Sequence, residues 1–290
     1  MLRGRFASTL ILVALLIVGL GGSASAAAPK NKGLLISPLK TYAAVDAGNE
    51  ETGTFTVANF TDRPITVDLS VKQFSVSDYA YNFSFSEPSN KWISLKTESV
   101  SIKPNENKKI EYTVSVPSGS APGGYYFTLF ASAQLSSSGL ASTVRAASLL
   151  YLTVNGKLIQ TSVPVGSSMS HVSYKRDIPY FIDVKNTGNV HYFANFSGSV
   201  NGLLLHTDPT GTSHLLLPGK ARHVEGTVRA PFLPGIYRAH YGYRTDAGDS
   251  FMAATYIVFI PLWSIAALLL ALFAAYRIWV YRKKNRTPTA

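Results

Sequence analysis

Between residues 33 and 255, apolar side chains recur at every second position in short runs broken by Gly, Pro, Asn and Asp. The clearest run is Ile65, Val67, Leu69 and Val71 with polar residues between them, the period of a strand with one buried face. Phe55, Val57 and Asn59 precede it across Thr61-Asp62-Arg63-Pro64, which predicts a hairpin. Ile110, Tyr112, Val114 and Val116 form a third run, and Tyr79, Tyr81, Phe83 and Phe85 a fourth that is wholly aromatic. Away from the two ends of the chain, no stretch carries an apolar stripe at helical spacing. An all-β fold follows.

The runs repeat. Val57-Ala58-Asn59 before a turn is echoed by Val184-Lys185-Asn186 before Thr187-Gly188-Asn189. Ile102-Lys103-Pro104 and Leu216-Leu217-Pro218 are each followed, thirteen residues after the proline, by Pro117 and Pro231. Each copy then reaches a Pro-Gly and a tyrosine strand, Pro122-Gly123-Gly124-Tyr125 and Pro234-Gly235-Ile236-Tyr237. Each copy closes on a hairpin, about 125–134 with 144–154 and about 236–245 with 250–258. These echoes predict two tandem immunoglobulin-like β-sandwich domains, 33–156 and 166–258, separated by clustered turn residues.

The ends read differently. Arg3 and Arg5, an apolar core from Thr9 to Leu20 and small residues at Ala24 and Ala26 describe a secretory signal over 1–26, cleaved after Ala26 or, as second choice, Ala28. Residues 259–280 are almost wholly apolar and predict a transmembrane helix, because twenty residues at ~1.5 Å each cover the ~30 Å of a bilayer core. Pro261 suits a first helical turn, and Trp263, Trp279 and Tyr281 suit the two interfaces. Arg282, Lys283 and Lys284 begin a basic tail, 281–290, and predict a cytoplasmic C-terminus beneath extracytoplasmic N-terminal domains, single-pass in a cell membrane.

The net charge of +11 changes little. Two of the 27 Lys and Arg lie in the signal and five in Arg277 and the tail, leaving twenty against sixteen acidic residues. The excess is too small to argue for nucleic acid. The absence of cysteine excludes thiol chemistry and favours a bacterial surface protein held by hydrophobic cores alone. His171, His191, His206, His214, His223 and His240 are scattered without metal-ligand spacing, and no nucleophile or phosphate-loop motif occurs. No enzyme, metal or cofactor is expected.

The aromatic run Tyr79, Tyr81, Phe83 and Phe85, with Trp92 after it, has two readings. One is core, with Trp92 filling the sandwich. The other is a binding site, either a platform on which the sugar rings of a wall glycan stack or an exposed edge strand for a partner chain. With Ser37-Pro38, Val57-Ala58-Asn59, Trp92-Ile93, Ile102-Lys103-Pro104 and Pro122-Gly123-Gly124-Tyr125, residues 34–154 resemble the peptidoglycan-binding domain of WxL-interacting proteins. Those are Gram-positive surface proteins with a signal, two immunoglobulin-like domains, one C-terminal helix and a basic tail. The resemblance implies attachment to peptidoglycan and a scaffold role towards other surface proteins. The alternatives are an envelope assembly chaperone resembling the fimbrial type, and a passive stalk.

Overall fold

The computed structural model describes residues 33–137, 140–202 and 206–284. The signal segment, with Ala24 and Ala26, lies outside the described residues, as does the tail beyond Lys284.

Strands are numbered in chain order. One sheet holds β1 (Leu34–Ser37), β3 (Glu50–Asn59), β8 (Asn107–Ser115) and β6 (Ile93–Leu95), in that spatial order. The facing sheet holds β2 (Lys40–Val45), β10 (Leu140–Val154), β9 (Gly123–Ser137), β4 (Ile65–Val76) and β5 (Phe83–Ser86), with β7 (Ser99–Ile102) also paired to β4. The alternating positions read from sequence meet between these sheets: Phe55, Val57, Ile110, Tyr112 and Val114 from one, Ile65, Val67, Leu69, Leu129, Leu150 and Leu152 from the other. Their burial is the dominant favourable term in a chain without disulfides.

The pattern recurs downstream. A sheet of β11 (Ser162–Met169), β13 (Asp177–Asn186) and β16 (Ala221–Arg229) faces one of β12 (Val172–Ser173), β18 (Ser250–Phe259), β17 (Gly235–Thr245), β14 (Tyr192–Asn201) and β15 (Thr210–Leu216). It encloses a separate core that includes Ile178, Ile182, Phe196, Leu216 and Ile257. The order β11-β13-β16 repeats β1-β3-β8, and β12-β18-β17-β14 repeats β2-β10-β9-β4. In both, the first strand is split between the sheets, and its second piece runs parallel to the last strand. Such an order is consistent with immunoglobulin-like sandwiches.

The sequence echoes mark repeated joints. Asn59 and Asn186 are both fully buried at the end of a strand. Asn59 donates through Nδ2 to the carbonyls of Arg63 (2.8 Å) and Ile102 (3.0 Å), and its Oδ1 accepts from Thr61 N at 2.9 Å. Asn186 donates to Val190 O (2.9 Å) and Leu216 O (3.0 Å), and accepts from Gly188 N at 2.8 Å. Pro104 and Pro218 each precede a residue with positive φ, Asn105 at 56° and Gly219 at 72°. Such a pair suits the centre of a type II turn. The amides of these two residues donate to the carbonyls of Asn59 and Asn186 respectively. Tyr125 and Tyr237 each donate their hydroxyl to a carbonyl four residues upstream, Ala121 at 3.0 Å and Leu233 at 2.8 Å.

Three expectations change. The run ending at Asn59 and the run starting at Ile65 do not form a hairpin: β3 pairs with β1 and β8, β4 with β5, β7 and β9, and the turn arches from one sheet to the other. Both runs still bury alternate residues, because each faces the same core from an opposite side. The aromatic run is not one strand, since Tyr79 and Tyr81 take positive φ (61° and 54°) and only Phe83–Ser86 pairs with β4. Phe259 is the fully buried last residue of β18, so the helix, α1 (Leu262–Lys284), starts later than 259 and continues through the basic Arg282 to Lys284. It is long and apolar enough to cross a membrane, and none of its most apolar stretch is buried against the sandwiches.

Candidate functional site

Cross-strand partners point to the same face of a sheet. The register of the β2-β10-β9-β4-β5 sheet therefore gathers one set of side chains on its outer face, away from the core. Tyr42 lies opposite Tyr151, Tyr151 opposite Tyr126, Phe74 opposite Phe85 and Val76 opposite Phe83. Phe130 shares that face by alternation from Tyr126 along β9. The rings touch in a continuous layer: Tyr42–Tyr151 at 5.0 Å, Phe74–Tyr151 at 5.3 Å, Phe74–Tyr126 and Phe74–Phe83 at 5.6 Å, and Phe85–Phe130 at 5.0 Å.

Half of this layer is covered by the second sandwich. Phe74, Val76 and Tyr151 form a small buried cluster with Leu217, and His191 packs within 5.4–5.8 Å of the rings of Tyr151, Tyr126 and Tyr42. Burial holds the His191 imidazole down to about 4, so it is neutral at physiological pH. Burial likewise pushes the Tyr151 phenol up to about 12 and raises Tyr126 and Tyr81, so these rings stay uncharged.

The loop after β4 latches the joint. Tyr79 N donates to Ala221 O at 2.7 Å, His223 N donates to Tyr79 O at 3.2 Å, and Asp78 Oδ1 accepts from Ala221 N at 2.8 Å. The Tyr81 hydroxyl accepts from Leu217 N at 2.8 Å, and the Arg222 guanidinium lies 4.4 Å over its ring. A second latch is Asn189, whose Nδ2 donates to Pro122 O (3.0 Å) and Lys157 O (3.1 Å) and whose carbonyl accepts from Gly124 N (2.8 Å). A Cβ on Gly123, where φ is 150°, would sit 2.7 Å from the Asn189 carbonyl oxygen.

The other half of the layer is open. Phe83 and Phe85 are about half-exposed, with ring planes within 7° of parallel and centroids 6.3 Å apart, on β5 at one edge of its sheet. Phe130 closes the patch edge-on to Phe85, with the exposed Arg145 guanidinium 5.1 Å above it. Lys72 pairs with Glu87 at the margin. Two open grooves, of about 640 and 690 Å³, lie elsewhere, one beside Tyr180 and Gly226 and one between β4 and β6.

The five aromatics singled out from sequence thus go to three places. Phe83 and Phe85 make the open patch, Tyr79 and Tyr81 belong to the latch, and Trp92 packs on the edge of the first core against Tyr125 at 4.4 Å. Tyr42, Phe130, Arg145 and His191 escaped the sequence reading. Parity could have found two of them: Tyr42 and Phe130, like Phe74, Val76 and Tyr126, are out of phase with the inward set on their own strands. Among the described residues, no three His, Asp or Glu side chains gather as a metal site.

No family model and no curated protein matches the chain. Among solved structures, the class 5 fimbriae chaperone CfaA is similar over 78% of this chain and 99% of its own, at 12% identity and a TM-score of 0.43. The E. coli chaperone DraB is similar over 77% and 97%, at 11% identity and a TM-score of 0.37. The PapD-like domain 7 of human CEP192 covers 44% of this chain and 89% of its own, at 13% identity and a TM-score of 0.33. At these values the likeness leaves function to be read from the aromatic face itself.

Proposed function

We propose that this chain is a membrane-anchored protein of a bacterial envelope, whose two tandem immunoglobulin-like domains bind a wall glycan and hold other surface proteins. The observation that carries the reading is the open half of the aromatic layer. Two near-parallel rings on an edge strand, half-exposed beside Phe130 and Arg145, offer stacking faces for sugar rings and a cationic donor for their hydroxyl or carboxylate groups. Peptidoglycan is the ligand class that the resemblance to WxL-interacting proteins also implies. The helix supplies the anchor, with Arg282, Lys283 and Lys284 on the cytoplasmic side.

A second reading, an assembly chaperone, is favoured by one observation: β5 is the outermost strand and all four of its residues are exposed. A partner segment could add to that edge through main-chain hydrogen bonds. The two readings separate in one experiment. The full chain in detergent micelles is co-sedimented with purified peptidoglycan sacculi, as wild type and as Phe83→Ser/Phe85→Ser. Glycan stacking predicts saturable binding weakened at least about tenfold in the variant. Strand addition predicts no binding to sacculi, and a captured subunit whose main-chain pairing survives loss of both rings. Failure of both would leave a passive stalk.

A further inference from the structure

The second sandwich and α1 are joined without a linker. β18 ends at Phe259, Ile260 N donates to Ser173 O at 2.9 Å, Pro261 is buried, and the helix begins at Leu262. The start of the helix is therefore fixed to one end of the sandwich. That end carries a cluster of exposed apolar side chains: Tyr174 (56% exposed), Phe232 (60%), Leu233 (50%) and Ile236 (71%). The Phe232 ring stacks on Trp263, 5.0 Å apart and 14° from parallel. Exposed basic residues Lys175 and Arg176 flank the cluster, and Arg176 Nε donates to Ala230 O beside the Phe232 loop. Asp177 lies 4.0 Å from Arg229, which offsets the one carboxylate there.

The length of the span fixes the level of this end. Arg282 must lie outside the hydrocarbon, and counting back the ~20 residues that cross it reaches Leu262 and Trp263. Trp263 then lies at the outer boundary, where indole rings belong, and Phe232 lies with it. We propose that the Phe232–Leu233 loop, with Tyr174 and Ile236, inserts into the headgroup–acyl boundary of the bilayer that α1 crosses. Lys175 and Arg176 face its anionic headgroups. The sandwich is then seated on the membrane at a set tilt by two points, helix and loop, rather than swinging on one. Apolar side chains that would be unexplained on a water-facing surface are covered by lipid.

This rests on the anchor reading, and the test keeps the two apart. The chain has no cysteine, so single cysteines introduced at Leu233, Tyr174, Leu269 and Asp62 each carry one nitroxide label. The full-length variants are reconstituted in vesicles of phosphatidylethanolamine and phosphatidylglycerol. Accessibility to oxygen is compared with accessibility to a water-soluble nickel chelate. Leu233→Cys and Tyr174→Cys should favour oxygen several-fold more than Asp62→Cys on the first sandwich, approaching Leu269→Cys within the helix. Aqueous values at Leu233 and Tyr174 with a lipid value at Leu269 would overturn the insertion and leave the anchor standing. An aqueous value at Leu269 would overturn both.

Discussion

Asn59 and Asn186 show how one polar side chain can be worth keeping in a dry place. Each amide satisfies backbone groups that the crossing chain would otherwise bury unpaired, and each has no exposed surface of its own. Asn59→Ala would take this partner from the Ile102 carbonyl and the Thr61 amide. The expected cost is about 2–4 kcal/mol, at the severe end for single substitutions, because one buried and several part-buried hydrogen bonds are lost at once. Urea unfolding followed by the fluorescence of Trp92, which packs on the first core, measures it. A loss below about 1 kcal/mol would mean that water or a rotated backbone replaces the amide. Asn59 also begins an Asn-Phe-Thr triplet, and its burial rules out that side chain as a glycan acceptor in the folded protein.

At the scale of elements, the informative piece is the segment between β4 and β5. Its alternation reads as a strand, yet Tyr79 and Tyr81 turn out of the sheet and offer their backbone and side chains to β16 and the turn before it. Tyr81 carries both a hydrogen bond and a cation–π contact, so Tyr81→Phe separates them. The variant keeps the ring under Arg222 but leaves Leu217 N without its acceptor, at a cost of about 1–3 kcal/mol to the joint. Trypsin cutting at Lys157, in the segment between β10 and β11, should then speed up several-fold, while unfolding of each sandwich core is little changed. Cutting at the wild-type rate would show that the latch does not hold the sandwiches together.

For the molecule as a whole, the joint carries a pH dependence. His191 titrates near 4 in the folded protein, against an ordinary 6.5, so between these values the unfolded chain binds the proton more readily. Stability is therefore complete above about pH 6.5 and falls as the pH drops through 4, by up to ~3 kcal/mol. The facing groups on β2, β9 and β10 are the neutral rings of Tyr42, Tyr126 and Tyr151, which offer an imidazolium no counter-charge. Denaturation series from pH 4 to 7 should show this loss in the wild type and a shallower one in His191→Gln. Equal slopes would place the acid sensitivity elsewhere.

Much of the fold was legible because it rests on local periodicity. A period-2 run states which residues face a core, the spaced prolines and Asn-turns state that the pattern occurs twice, and an unbroken apolar stretch states a helix long enough for a bilayer. None of these reports which sheet a strand joins, because an arch and a hairpin both preserve alternation; the runs at Asn59 and Ile65 read as a hairpin and form an arch. Nor could spacing tell core aromatics from surface ones. Phe74 and Phe83 are neighbours on the same face of adjacent strands, yet one is buried and the other half-exposed, because the second sandwich docks on one and stops short of the other. The latch exists only where two cores, each encoded by its own alternation, are brought together, and the open patch is what their contact leaves uncovered. The Tyr81–Leu217 and Asp78–Ala221 contacts of the latch join residues more than a hundred positions apart, and no local pattern carries that distance.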